Sequence, residues 1–600
     1  MVVSERIAAL RRQMQEKQID VYLVPTADFH ESEYVGDYFK VRAFLTGFTG
    51  SAGVAVITMN EAGLWTDGRY FIQAERQLSG SGITLYRSGL EGVPTELEFI
   101  EEKLPKGGCL GFDGRVVNAA FGEMLEGLAA KKEGRIASQW DLADAVWKDR
   151  PAFSQAPGFL LREEYSGQSA GEKLARIRKA MALAGAKAHL VASLDDVCWI
   201  CNIRGNDAGR FHVILSYLLI TMETAVLFVN RKSLNKEIEA YLFQNGIEIR
   251  PYDQVYEDAE VLSEESVLIQ KDKINYRLYG CLKHCSIISQ MNPSILLKAV
   301  KNEVELANLK KAHVKDGVAM VKFLYWLKKN VGKGNLTELS ASDYLEQCRY
   351  AQGAIDLSFD TICAYGSNAA MMHYSASLES NAVLEPKGFL LVDSGGHYME
   401  GSTDITRTIA LGELTREEKL HFTAVLRSNL NLAHAKFLHG CTGQNLDILA
   451  RGPIWDLGLD YRCGTGHGVG YLLSIHEPPN GFRYKKVPER LDSAVLEPGM
   501  VTTDEPGIYL EGQYGIRTEN ELVCREAEQN EYGQFLEFET ITYCPIDLEA
   551  VEVSCLSKTD VERLNQYHLM VYETLVPYLT EEEDKWLQEA TRNLTYQEMH

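Results

Sequence analysis

The first 25 residues set a pattern that recurs along the chain. Apolar positions at helical spacing over residues 4–17 predict an amphipathic helix, and the apolar run IDVYLVPT that follows predicts a buried strand. Glycine punctuation then becomes dense. FLTGFTGSAGVAVITMNEAGLWTDGRYFIQAERQL reads as a glycine-rich turn, a strand, a turn, a second strand ending at Trp65 and a helix. The segment AKAHLVASLDDVCWICNIRGND followed by LSYLLITMETAVLFVNRKSL echoes this order as strand, glycine turn, strand, turn, strand, which predicts an internal duplication. The linker-like run SQAPGFLLREEYSGQSAGEK places the end of the first copy near residue 158, and Pro293 to Val304 closes the second.

From Lys301 the period changes. KNEVELANLKKAHVKDGVAMVKFLYWLKKN predicts one long helix with Leu306, Leu309, Met320, Leu324 and Leu327 on a common face. Helices are expected again at Ala341 to Ala351 and Glu417 to Leu438, with strands carrying the polar motifs between and after them. Beyond Pro545, helical segments with acidic blocks such as TEEEDK read as a surface appendage. The predicted class is therefore α/β (α+β) in three domains, at residues 1–158, 159–303 and 304–600.

Composition adds exclusions. Hydrophobic residues at 45% and charged residues at 24% match ordinary globular proteins and argue against a disordered or fibrous class. A formal net charge of −23 disfavours nucleic acid and anionic membrane surfaces as partners, since both attract basic proteins. No apolar run approaches the ~20 residues needed to span a bilayer. The opening MVVSERIAALRRQMQEK lacks the pattern of a signal peptide, which with scattered cysteines predicts a cytoplasmic protein. Cys198 and Cys201 have CxxC spacing but no second pair and apolar neighbours, so they are read as core thiols.

Five residues carry the candidate chemistry: Asp393 and Asp404 in FLLVDSGGHYMEGSTDITRT, His467 in GTGHGVG, Glu505 in VTTDEPGIY and Glu519 in GIRTENELV. Four carboxylates and an imidazole suit hard or borderline divalent cations such as manganese, cobalt, zinc or iron. Five side chains exceed the needs of one catalytic ion, and with bridging carboxylates they can hold two, whose four positive charges match the four carboxylates. Asp393 ends an apolar strand and Asp404 begins another, so a hairpin brings them together, and Glu505 and Glu519 suggest a second adjacent pair. Acids lining a sheet are costly without cations. GTGHGVG and GFTGSAG do not fit phosphate loops: no helix-initiating pattern follows the first, and the second lacks the lysine.

These five motifs resemble the metallopeptidase family with the pita-bread fold, which includes methionine aminopeptidases, prolidases, aminopeptidase P and creatinase. The three-domain aminopeptidase P branch is the most similar, because SEYVGDYFKVRAFLTGFTGSAG with LWTDGRYFIQA resembles its first domain and SLDDVCWICNIRGND with LSYLLI its second. The resemblance implies two related creatinase-type N-terminal α/β domains followed by a pita-bread metallopeptidase domain, with release of the first residue from peptides whose second residue is proline. It further implies two divalent ions, manganese above all with zinc or cobalt as substitutes, activating a shared water. Asp393 and Asp404 bind metal with Asp404 bridging, His467 and Glu505 bind one ion, and Glu519 bridges both. His373 in AMMHYSA and His476 in SIHEPP are implied catalytic groups beside the metals, Phe44 and Arg69 border the substrate, and the chain forms a homodimer. A prolidase acting on Xaa-Pro dipeptides and a non-catalytic binding module of the same fold are the alternatives. Three departures from the family pattern stand out: Cys463 where the family often has histidine, EPP after His476 where EGP is usual, and GRFHV at 209–213 in place of an HNP-like segment.

Overall fold

The computed structural model describes residues 1–262, 266–487 and 490–596. The chain forms two compact units, one of Met1–Arg162 with Gln168–Ser294, the other of Glu163–Gly167 with Ile295–His600.

In the first unit the opening helix is Val3–Glu16, with Ile7, Leu10 and Met14 buried along one stripe. The strand Val21–Pro25 follows it into a six-stranded sheet. That sheet runs in the order Thr84–Arg87, Ala62–Thr66, Val54–Thr58, Val21–Pro25, Cys109–Gly111, Arg135–Ala137. The second sheet runs Ile247–Pro251, Ala225–Val229, Ser216–Thr221, Ala188–Val191, Ser266–Ile269, Ser286–Ser289. In both, the successive pairings are parallel, antiparallel, antiparallel, parallel, parallel. Two sheets with the same order and directions are the structural form of a duplication. One local expectation fails: Leu194–Cys201, within the segment read as strand and turn, is a helix. A short apolar run fits either period, and here seven of its eight residues are buried, so no alternation marks it. Cys198 and Cys201 on that helix are fully buried, and burial pushes the Cys198 thiol up to about 12, as expected for core thiols.

The second unit opens with the long helix Glu303–Asn330. Asn302 caps it, accepting from the amides of Val304 and Glu305 at 3.0 Å while Glu305 accepts from Asn302 N at 2.9 Å. All five residues of the predicted stripe are buried. The next helix, Glu338–Ala351, is tied to it by Arg349 and Asp316, a buried pair at 2.7 Å. The helix expected to reach Leu438 stops at Ala433, and Lys436–Leu438 is instead an edge strand paired with Gly533–Thr540.

Two nested hairpins form the centre of this unit. In one, Phe389–Ser394 pairs with Ile405–Ala410, and a small inner hairpin of Gly396–Tyr398 and Gly401–Ser402 projects between them. In the other, Val501–Asp504 pairs with Asn520–Asn530, and Gly507–Leu510 with Tyr514–Arg517 forms the inner hairpin. The second outer pair belongs to a six-stranded antiparallel sheet that also contains Gly466–Gly468 and Glu477–Phe482.

The C-terminal segment is not a surface appendage. Val561, Leu564, Val571 and Leu575 of the helix Lys558–Leu575, with Leu587 of Glu581–Ala590, share one core with Val321, Phe389, Phe422 and Ile516. Glu581 and Glu582 of the acidic block face outward, while Glu583 turns back to pair with Lys322 of the long helix at 2.8 Å, and the block conceals the apolar stripe behind it in the sequence.

Candidate metal centre

The candidate ligands sit where the outer hairpins meet the inner ones. Asp393 lies opposite Thr406 near the end of its strand, and Asp404 immediately precedes the returning strand. Asp504 pairs with Asn520, so Glu505 and Glu519 lie just beyond that pair on either side of the inner hairpin. His467 is the middle residue of its short strand, one strand away. Its flanking glycines allow the strands to approach: a Cβ at Gly466 would sit 1.8 Å from the Thr503 carbonyl oxygen, and one at Gly468 would sit 2.2 Å from that of Glu477. GTGHGVG is therefore a close-packed strand motif.

Donor atoms of Asp404, His467 and Glu519 all lie within 4.8 Å of one another. His467 Nε2 is 3.5 Å from Asp404 Oδ2 and 3.4 Å from Glu505 Oε1. Two ligand atoms about 2.1 Å from one ion lie about 3 to 3.4 Å apart at octahedral to tetrahedral angles, so this spacing fits a shared cation. The histidine is prepared for that role. Its Nδ1–H donates to the Gly468 carbonyl at 2.9 Å, which fixes the tautomer that presents the Nε2 lone pair to the two carboxylates.

Each acid is held by a neighbour. The Asp404 amide donates to Glu521 Oε1 at 2.7 Å, and Thr406 Oγ1 donates to Glu519 Oε2 at 2.7 Å. Thr503 Oγ1 accepts from the His467 amide at 3.0 Å and donates to Glu505 Oε1 at 3.3 Å. Asp393 Oδ2 accepts from Arg517 Nη2 at 2.6 Å, while its buried Oδ1 has no hydrogen-bond partner among the described residues.

Burial and mutual repulsion set the charge state of the cluster. Burial, then repulsion from Glu519 and Asp393, pushes Asp404 well above the usual carboxylate range. Burial, then Glu505 and Asp393, does the same to Glu519. Burial raises Glu505 to about 7, with Asp393 adding to it and Arg517 opposing it. The Arg517 guanidinium is set against Asp393, Glu505 and Glu519. An orphaned buried oxygen, an oriented imidazole and acids driven toward protonation together fit a site for divalent cations.

His476 is brought to this centre, its ring meeting that of His467 edge to face at 4.3 Å and 84°. His373 follows the short turn Gly366–Ala370, which packs on the strands Phe389–Ser394 and Tyr514–Arg517. Phe44 and Arg69 belong to the first unit. Phe44 stacks on Trp147 with centroids 4.5 Å apart, and Arg69 is paired with Asp67 at 2.8 Å. At the departures from the family pattern, Cys463 is partly buried and its thiol is pushed up to about 11 by burial and by Glu505, so it stays protonated. Glu477, which opens the EPP segment, forms a buried ion pair with Lys301. Within GRFHV, Phe211, His212 and Val213 are buried.

Sequence reasoning missed Arg517 and Glu521. A signal was present, since Arg517, Glu519 and Glu521 alternate at the strand period and so address one face; all three are at most 3% exposed.

Matches to known proteins span the chain. The creatinase/prolidase N-terminal domain matches residues 6–140 and again 149–305, metallopeptidase family M24 matches 307–526, and the C-terminal region of peptidase M24 matches 534–594. Aminopeptidase P2 of Arabidopsis thaliana is 37% identical, with 99% of this chain and 89% of the relative covered. A probable Xaa-Pro aminopeptidase P of Neurospora crassa is 37% identical, covering 98% and 89%. The X-prolyl aminopeptidase of Caenorhabditis elegans, described as a cytosolic enzyme with a di-nuclear active site, superposes with a TM-score of 0.94 at 32% identity over 99% of this chain and 100% of that one. The Xaa-Pro dipeptidase of Bacillus anthracis reaches a TM-score of 0.51 at 29% identity and covers 63% of this chain, against 99% of its own.

Proposed function

The chain belongs to metallopeptidase family M24, with two creatinase/prolidase N-terminal domains before the M24 domain, and from that premise we propose that this hydrolase is an Xaa-Pro aminopeptidase. It releases the N-terminal residue from peptides with proline second. The observation that carries this reading is the end-to-end match to an X-prolyl aminopeptidase with a di-nuclear active site, joined to a donor set that fits divalent cations. Two ions bound here would polarise the scissile carbonyl and lower the pKa of a water, and manganese is the proposed metal.

The chain's own residues prepare and complete that chemistry. Asp393, Asp404, His467, Glu505 and Glu519 would hold the ions, with Asp404 and Glu519 buried and within reach of His467. Thr406 holds the Glu519 carboxylate and Glu521 the backbone amide of Asp404 from behind. Arg517 holds Asp393 in place and balances part of the negative charge. His476, its ring edge to face with that of His467, donates a hydrogen bond to the substrate oxygen on which charge develops, and His373 serves as its counterpart. Phe44 and Arg69 keep the substrate role that the resemblance gives them. A homodimer and a cytoplasmic location complete the proposal, the latter because the Caenorhabditis elegans neighbour is described as cytosolic. No described helix is long and apolar enough to cross a membrane.

The test is release of the first residue from an Xaa-Pro-Yaa tripeptide by metal-stripped protein, before and after manganese is restored. Absence of metal-dependent release refutes the proposal. Cleavage confined to Xaa-Pro dipeptides turns it into a prolidase, a reading disfavoured because the dipeptidase neighbour matches only part of this chain. Protein that binds a partner but no metal is the outcome expected of a non-catalytic module.

A further inference from the structure

Lys301 and Glu477 are 4% exposed each, a lysine and a glutamate withdrawn almost fully from water. Their side chains form an ion pair, and Lys301 Nζ also donates to the Lys298 carbonyl at 2.9 Å. Burying two charges is a poor route to stability, because the desolvation cost rivals the attraction gained. Where the pair sits suggests another use.

Glu477 directly follows His476 and is the first residue of the strand Glu477–Phe482. That strand is irregular opposite the metal-site histidine: His467 pairs with Gly481, but the next residue, Gly468, pairs with Glu477. Pro478, Pro479 and Asn480 are thrown out as a bulge, with Asn480 Nδ2 pinned to the Val501 carbonyl at 2.9 Å and to Thr502 Oγ1 at 2.7 Å. The bulge sets where His476 emerges, edge to face with His467. Lys301 approaches from the segment that precedes the long helix. Its amide donates to Gly499 O at 3.0 Å and Val300 bridges to Met500, so its backbone is registered on the strand that leads to Glu505. On the other flank of His476, the Leu472 amide donates to Ser402 Oγ at 2.9 Å.

We infer that Lys301 is a positioning residue for His476: it clamps Glu477 at the foot of the bulge, and so holds the imidazole of His476 at its angle and distance from His467. The kinetic arm of the test rests on the aminopeptidase reading; the spectroscopic arm does not. Two variants are compared with wild type, Lys301→Met and the double variant Lys301→Met/Glu477→Gln. The second leaves no unpaired buried charge, and its melting temperature is expected to return toward that of wild type. In metal-free protein with labelled histidines, the His476 ring signal is identified by its loss in His476→Gln. It is expected to move in both variants, as its contact with the His467 ring changes. In manganese-loaded protein, kcat on the tripeptide falls about 10- to 100-fold in both, with KM changing less than about threefold. A His476 signal that stays in place in either variant, a moved signal with wild-type kcat, or a kcat that recovers along with the melting temperature overturns the inference. Wild type without turnover overturns the aminopeptidase reading instead, and the His476 signal alone then decides.

Discussion

Glu505→Gln should stabilise the metal-free protein at neutral pH while abolishing its use as an enzyme. Burial and Asp393 raise the Glu505 carboxyl from 4.5 to about 7, with its side chain 20% exposed. The folded protein thus keeps a proton that the unfolded chain has lost, and stability declines as pH rises from about 4.5 to about 7. At 1.36 kcal/mol per pH unit, a shift of that size costs about 3 kcal/mol above pH 7, or roughly 5 °C in melting temperature for a unit of this size. Asp404 and Glu519 are shifted the same way and deepen the decline. Glutamine has the shape of glutamate without the charge. Calorimetry of metal-free wild type and variant at pH 5 and pH 7.5 should therefore find them similar at the lower pH and the variant up to about 3 kcal/mol more stable at the higher. Manganese should reverse the order, because cations stabilise the ionised wild-type site and a ligand is missing from the variant. Metal-free wild type at least as stable as the variant at pH 7.5 would refute the account of the cluster as acids held against their own repulsion.

Alanine at Asp404 or Glu519 should remove both turnover and metal, whereas His476→Ala should keep two ions per chain and lose about 10²- to 10⁴-fold in kcat; equal metal loss in all three, by elemental analysis, contradicts the assignment. Leu564→Ala, at a fully buried site of the C-terminal core, should cost about 2–5 kcal/mol in denaturant unfolding, against less than about 0.5 for Glu581→Ala on the exposed face. Comparable small effects at both sites would restore the reading of that segment as an appendage. Arg517→Met should destabilise metal-free protein by about 3–5 kcal/mol by stranding Asp393, with a smaller deficit once manganese supplies the missing charge; a deficit indifferent to manganese refutes it.

How much was legible in the chain depended on whether local pattern or distant contact decided each feature. The stripe from Leu306 to Leu327 is a local property, and all five residues are buried. The hairpin bringing Asp393 opposite Thr406 follows from apolar strands flanking a glycine-rich connection. Leu194–Cys201 was illegible because burial on every side erased its period. The end of the helix at Ala433 carries no glycine or proline; what ends it is the pairing of Lys436–Leu438 with a strand a hundred residues later. For the centre, residue types announced the donors, but not the groups that hold them. Glu521 and Thr406 act through folded geometry, and only the alternation of Arg517, Glu519 and Glu521 hinted at it.

The nested hairpins explain how the candidate ligands come to one place although each hairpin carries only two of the carboxylates. The strand Ile405–Ala410 meets the segment 517–521 mainly through side chains. Arg407 Nη1 donates to the Glu519 carbonyl at 2.6 Å, Thr408 Oγ1 donates to that of Arg517 at 2.9 Å, and Glu521 takes the Asp404 amide. A direct backbone bond, Glu519 N to Thr406 O at 3.1 Å, joins the same seam. Arg407 carries it further, donating to the Cys544 and Pro545 carbonyls and to Tyr567 of the C-terminal helix. Two carboxylates from one hairpin present no imidazole and too few ligands for a pair of ions, so neither hairpin alone suffices. Cations held by these residues would bind the seam, and their binding energy should tighten the contact between the two halves and the helix that braces it.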